Sequence, residues 1–325
     1  MRTAVIFSPG AGQRANFTAI GEKLLRLFGA ENLITCPGSF GADYLGDAEL
    51  CDADCAGGYV EVLGRMTRAV LAGKPELLVS VGGDGIAAYI ADAMLTSGVN
   101  IPMMGIAAGT ANVGPIVCVG ADELDELDIS RWNRITAGAV EVTARNHVGY
   151  AFNDVVIGNT LLGTVDGEIV NLSARAMALR GEKEICRPSD RICGSDFAVT
   201  KNGETMAHTI ALPGQIIVSP LDRDRLEGRA VYGALCSAAY TPCKAAVALT
   251  QQVMISAEAE DAGMGSFSPM EHLLFGPDDE VVLSGLTDDA DLILDGNPYL
   301  RDAEAVKLRF VPELITVAMP ARKGN

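Results

Sequence analysis

Two glycine-rich stretches carry side chains suited to work on a phosphate group. Val81-Gly82-Gly83-Asp84-Gly85 sets one carboxylate among three glycines, between an apolar run and a segment of helical period. Glycine lets a backbone approach a ligand closely and tolerates positive φ, while the start of the next helix offers N–H groups and partial positive charge to a phosphate. A carboxylate in that place is repelled by phosphate unless it holds a metal ion, takes a proton from an attacking hydroxyl or orients that hydroxyl. The other reading is a tight turn with Asp84 capping the helix. Further on, Met104-Gly105-Ile106-Ala107-Ala108-Gly109-Thr110-Ala111-Asn112 again leaves an apolar run through glycine and supplies a hydroxyl and an amide. An earlier stretch, Gly10-Ala11-Gly12-Gln13-Arg14-Ala15, fits a Gly-x-Gly-x-x-Ala turn, but no acidic residue closes the next apolar run, which ends at Thr35-Cys36-Pro37-Gly38. Asp84 is thus the candidate catalytic residue, and Gly82, Gly83, Gly85, Gly109, Thr110 and Asn112 are candidates for holding a nucleotide, whereas the pattern at Gly10 reads as an ordinary βα turn.

The elements that must place these loops follow from periodicity. Apolar runs at Thr3–Phe7, Asn32–Thr35, Leu77–Val81 and Met103–Ile106 read as strands, and Phe17–Phe28, Tyr59–Ala72 and Ile86–Leu95 as helices, the last stopped near Gly98. Strands alternating with helices predict βαβ units around a parallel sheet, whose ligands bind at the carboxyl ends of the strands. From about Ala137 the texture changes to closely spaced strands: Val140–Ala144, Gly149–Ile157, Glu168–Ala178, Gln215–Ser219, Val281–Ser284 and Leu292–Leu294. These predict an all-β, sandwich-like second domain with a helix at Arg229–Ala239 and an exposed loop at Asp261–Ser268. The expected division is an α/β domain over 1–135, a β-rich domain over 136–304 and a segment 305–325 returning to the first.

Composition narrows the partners. The 325 residues carry 25 Lys and Arg against 42 Asp and Glu, a formal charge of −17, which disfavours nucleic acid and anionic membrane. No apolar run approaches the length of a membrane span, and Ala4–Phe7 leads directly into Ser8-Pro9-Gly10 rather than a signal sequence, so a cytoplasmic protein is expected. The eight cysteines form no Cys-x-x-Cys and read as small buried residues, and the three histidines are isolated from any cysteine pair.

Ser8-Pro9-Gly10-Ala11-Gly12, Gly82-Gly83-Asp84-Gly85 and Gly109-Thr110-Ala111-Asn112 together resemble the successive nucleotide-contacting loops of the NAD kinase and diacylglycerol kinase superfamily. Ala151-Phe152-Asn153-Asp154-Val155-Val156-Ile157 is similar to the NAD kinase segment in which an Asn followed by an acidic residue contacts NAD, and Asp295-Gly296-Asn297 is similar to a later Asp-Gly-Gln segment. The Thr-Pro-Thr-Gly-Ser-Thr-Ala-Tyr segment of NAD kinases is replaced by Ser219-Pro220-Leu221-Asp222, and its nearest likeness is Cys236-Ser237-Ala238-Ala239-Tyr240. The resemblance implies a Rossmann-like α/β domain, a β-sandwich-like domain and a nucleotide site between them. It further implies ATP with Mg²⁺ as donor, Gly10 as one more nucleotide-holding residue, Asp84 acting on the acceptor hydroxyl, and Asn153, Asp154, Tyr240 and Asp295 on the substrate side. NAD or a related small molecule is the expected acceptor; a diacylglycerol-type lipid, or a nucleotide sensor without turnover, are the alternatives. A homo-oligomer binding a small-molecule nucleotide is expected.

Overall fold

The computed structural model describes residues 1–10, 16–108, 112, 114–145, 147–221, 244–258, 267–299 and 305–323. The chain divides into two compact units, Met1–Ala137 with Glu313–Asn325, and Gly138–Pro312. It is a mixed α/β protein with few helices.

In the first unit, β1 (Thr3–Phe7), β2 (Leu33–Thr35), β3 (Glu49–Leu50), β4 (Leu77–Gly82) and β5 (Met103–Ala107) lie parallel in the order β5-β4-β1-β2-β3. A sixth strand, β6 (Val117–Gly120), pairs in parallel with β5. Parallel neighbours need long crossovers, which α1 (Phe17–Phe28), α2 (Tyr59–Ala72) and α3 (Asp84–Thr96) supply. Every residue of β1 and β4 is buried, as expected of continuous apolar runs covered on both faces. α1 turns Phe17, Ile20, Leu24 and Phe28 inward at spacings of three and four, and Phe17 meets Phe7 edge to face with ring centroids 5.1 Å apart. α3 begins two residues before the predicted start, and Gly98 follows its end at φ +70°.

β7 (Leu127–Ala144) leads into the second unit and pairs antiparallel with β8 (His147–Ala151). The unit continues with β9 (Val155–Gly158), the hairpin of β10 (Thr160–Val165) and β11 (Glu168–Ser173), the helix α4 (Ala174–Arg180), and then β12 (Cys193–Lys201) and β13 (Glu204–Thr205). After these come β14 (Gln215–Pro220), β15 (Ala245–Thr250), β16 (Met270–Phe275), β17 (Glu280–Leu286), β18 (Asp291–Leu294), β19 (Asn297–Tyr299) and β20 (Val306–Arg322). Six strands form an antiparallel sheet in the order β16-β15-β14-β9-β18-β19, while β12 pairs with β17 and β17 with β20. Val155 and Val218 from the first set meet Val199, Leu283 and Phe310 from the second in one buried cluster. The far part of β20 pairs in parallel with β5, Val317 opposite Met103.

Two sequence expectations are corrected. The run Gly149–Ile157 is not one strand; it breaks at Phe152–Asp154, between β8 and β9. Glu168–Ala178 is strand only to Ser173, whose side chain accepts the Ala176 N–H at 3.1 Å and starts α4, and Gly181 at φ +68° closes that helix. The expected helix at Arg229–Ala239 and residues 261–266 of the expected loop lie outside the described residues. Among the described residues no helix is long and apolar enough to cross a membrane.

Gly105 sits where β5 meets β6 most tightly, since a Cβ there would stand 2.7 Å from both the Ile116 carbonyl oxygen and Val117 Cα. Gly105→Val should therefore destabilise the protein by about 1–3 kcal/mol, read as a lower denaturant midpoint at unchanged slope.

Candidate functional site

Within the first unit the register aligns three strand ends. Phe7 lies opposite Val81, and Gly82 opposite Ala107, so β1, β4 and β5 release their loops at one edge of the sheet. Backbone bonds lace those loops together: the Ser8 N–H donates to the Val81 carbonyl at 2.9 Å and the Ala108 N–H to the Gly82 carbonyl at 2.8 Å. Gly82 is required by crowding, because a Cβ would come within 2.6 Å of Ile86 Cγ2 and 2.9 Å of Ser8 Cβ. Positive φ plays no part in this turn. Gly83, at the N-cap of α3, is extended at φ −109°, and neither Gly82 nor Gly85 has positive φ.

Asp84 is the first residue of α3, and no side chain caps that helix. The capping reading of Asp84 therefore gives way to a longer-range one: its Oδ2 accepts the backbone N–H of Gly114 at 2.9 Å, thirty residues away. Gly114 has to be glycine for this, since a Cβ would lie 2.8 Å from Asp84 Oδ1. The carboxylate thus ties the loop after β4 to the chain that follows β5, near the half-buried Asn112. The local sequence around Asp84 gives no hint of this partner; a glycine two residues past Asn112 is the available signal. Gly10 is exposed, with open space where its side chain would be. Gly109 and Thr110 lie outside the described residues.

A polar layer that the sequence did not reveal lies beside the β1 end. Ser8 Oγ stands 3.4 Å from the Tyr59 hydroxyl, and Tyr59 stacks on Phe40 with centroids 6.2 Å apart. Desolvation raises the Tyr59 hydroxyl above its ordinary value, opposed by the bond to Ser8. Tyr89, from α3, is raised further, by desolvation first and then by Tyr59 and Asp92.

In the second unit the residues of interest gather at one end of β9. Asp295 and Gly296 both have positive φ, +49° and +76°, and form the two-residue turn joining β18 to β19, with Leu294 opposite Asn297. An Asp-Gly pair is well suited to such a hairpin. The Asp295 side chain then turns back under the β8–β9 connection. Its Oδ2 accepts the Phe152 N–H at 2.7 Å, and its Oδ1 accepts the Asn153 and Asp154 N–H groups at 2.7 and 2.9 Å. The Asp295 N–H in turn donates to the Asp154 carbonyl at 2.9 Å. The carboxylate of Asp295, expected on the substrate side, shapes the Asn153–Asp154 turn. Burial, then the neighbouring Asp154 charge, push its carboxyl up to about 7, against the pull of the three amides.

Asn153 is buried, its Nδ2 donating to Asp154 Oδ2 at 3.2 Å. Among the described residues its Oδ1 is buried with no hydrogen-bond partner. Ser219 stands one residue past the Val218–Val155 pair, fully buried, and its Oγ likewise has no partner among the described residues. Buried polar atoms without partners are costly, so two at neighbouring strand ends mark a place where a ligand's donors can be met. Tyr240 lies outside the described residues.

No known family profile matches the chain. It is 30% identical over 230 residues to an uncharacterized protein of Archaeoglobus fulgidus, covering 70% of this chain and 69% of that one. Its structure is similar to that of yeast NADH kinase complexed with NADH, at 12% identity and a TM-score of 0.57, over 99% of this chain and 84% of the other. It is similar also to a diacylglycerol kinase from Bacillus anthracis, at 12% identity and a TM-score of 0.53, over 97% and 96% of the two chains.

The raised Asp295 carboxyl gives a signed pH dependence. Between its ordinary value of 3.8 and about 7 the folded state holds a proton that the unfolded state has lost, so this contribution is full below the ordinary value and fades as pH rises through about 7. Thermal midpoints of the wild type and Asp295→Asn, compared from pH 4 to 8, should show the wild type losing ground to the variant as pH rises. A constant difference would mean that Asp295 is ionised throughout.

Proposed function

As a member of one family with the Archaeoglobus protein, and with the fold of the NAD kinase and diacylglycerol kinase superfamily, this chain is, we propose, an ATP-dependent phosphotransferase acting on a hydroxyl of NAD or a related small molecule. Asp84 carries this reading. It is a carboxylate at the start of a helix, at the edge where β1, β4 and β5 end, with one oxygen fixed by Gly114 N. Transfer to a hydroxyl asks for little covalent help: the hydroxyl oxygen attacks the terminal phosphorus, the bond to the β-phosphate oxygen breaks, and ADP leaves. Asp84 orients the hydroxyl and receives its proton as the new P–O bond forms. The N-terminal end of α3 favours the negative charge of the phosphates, and the crowding at Gly82 keeps the β1 and β4 loops close enough to act on one group.

Mg²⁺ fits this arrangement as a companion of the phosphates rather than as a resident ion. Among the described residues no three His, Cys, Asp or Glu side chains converge to form a cage. Mg²⁺ is commonly held by substrate phosphates, water and one or two carboxylates, and Asp84 is the carboxylate in place. When bound it would neutralise the polyphosphate.

The second unit favours a polar acceptor over a lipid one. Asn153 Oδ1, without a partner among the described residues, accepts an N–H or O–H, which a nucleotide's base and ribose provide and an acyl chain does not. Asp154 adds a carboxylate suited to ribose hydroxyls.

Offering γ-labelled ATP and Mg²⁺ with NAD, NADH and a diacylglycerol tests the reading: label should pass to the dinucleotide. Asp84→Asn should slow transfer by about 10²–10⁴-fold while leaving the thermal midpoint in place. Asn153→Ala should weaken protection by NAD by about 1–3 kcal/mol. Label passing only to the diacylglycerol would establish a lipid kinase, and tight ATP binding without transfer to any acceptor would establish a sensor.

A further inference from the structure

At the other side of the parallel sheet, β2 and β3 run in register with Thr35 opposite Leu50, and the Cys51 N–H donates to the Thr35 carbonyl at 2.9 Å. Cys36 and Cys51 are the next residues in that register. Neighbouring strands lie about 5 Å apart, inside the Cα separation that a disulfide spans. Cys36 Sγ donates to the Met66 carbonyl at 3.9 Å. Cys36 is fully buried, Cys51 is 7% exposed, and Cys55, four residues further on, is exposed.

The two neighbouring thiols differ in acidity. The Cys36 thiol holds Cys51 below the usual thiol value, whereas that same contact and burial push Cys36 up. Cys51 is therefore the better thiolate and Cys36 the proton-bearing partner.

We propose that Cys36 and Cys51 form a reversible dithiol–disulfide pair, oxidised by small disulfides of the glutathione class that enter through the exposed Cys55. The Cys55 thiolate attacks one sulfur of the small disulfide, forming a mixed disulfide and releasing one small thiolate. Cys51 then attacks Cys55 Sγ and expels the second small thiolate. Cys36, giving up its proton, attacks Cys51 Sγ, forms the buried bond and returns Cys55 to its thiolate. In sum, two protein thiols lose two electrons and two protons, and the small disulfide gains them as two thiols. The Gly38–Phe40 turn follows Cys36 in the chain, the Ala42 N–H donates to the Cys36 carbonyl at 2.9 Å, and Phe40 stacks on the Tyr59 that reaches Ser8. The redox state of the pair is thereby set close to the end of β1.

Full-length native protein is incubated with oxidised glutathione, trapped by alkylation at intervals and mapped by peptide mass spectrometry. The expected product is a Cys36–Cys51 linked peptide pair, lighter by about 2 Da than the two thiol peptides and reversed by dithiothreitol, forming about tenfold or more slowly in Cys55→Ser. Cys36 and Cys51 recovered as alkylated thiols while Cys55 carries glutathione would overturn the pair, as would a bridge from either to another cysteine. An unchanged rate in Cys55→Ser would overturn the entry route.

Discussion

The common register of β1, β4 and β5 is the constraint on which the candidate site depends. Because Phe7, Val81 and Ile106 stand level across the three strands, Ser8, Asp84 and the chain after Ala107 leave the sheet at one height. A slip of one residue would turn every side chain of a strand to the opposite face. Burial on both faces of β1 and β4 makes such a slip costly, and the amide bonds from Ser8 and Ala108 hold the ends where the pairing leaves them.

Two carboxylates, one in each unit, organise backbone through amide donors. Asp84 fastens Gly114, and Asp295 gathers three successive N–H groups of the turn before β9. For a chain carrying formal charge −17 this is a sound solution, since basic side chains are scarce and amides are present at every turn. An amide donor is also fixed by the fold itself, so the carboxylate's orientation follows from the backbone and loses no side-chain freedom on a long Lys or Arg. Where a cation does take part, as at Lys201 and Asp279, 3.0 Å apart, it serves an outer turn whose carboxyl is held down to about 2 mainly by the Gly276 amide and Asn202.

What could be read from the sequence was whatever repeats locally. Thr3–Phe7, Phe17–Phe28 and Tyr59–Ala72 match the observed elements residue for residue, because long apolar periods bury one stripe or one run with little ambiguity. The short strands β3 and β6 have too few residues to show a period. Glu168–Ala178 misled because Ser173 looks like a strand residue until its hydroxyl is seen capping α4. The site divides in the same way. The strand–glycine–helix context of Asp84 was legible, but its partner Gly114 was not, and Asp295 could be noticed as an Asp-Gly pair without any hint that its oxygens serve residues more than 140 positions earlier. Local chemistry is written in neighbouring residues, whereas a hydrogen bond across the chain is written only in the fold.

The return of β20 gives the first unit a peculiar history. That unit is assembled from Met1–Ala137 and Glu313–Asn325, so the segment opposite Met103 is synthesised only after the whole of Gly138–Pro312. Domains usually fold as units from the N-terminus as synthesis proceeds. Here the first unit emerges with Met103 of β5 lacking its partner on β20, a short stretch of open strand edge that invites wrong pairing. The part translated first is completed last, because the strand that finishes it is made only after all of Gly138–Pro312.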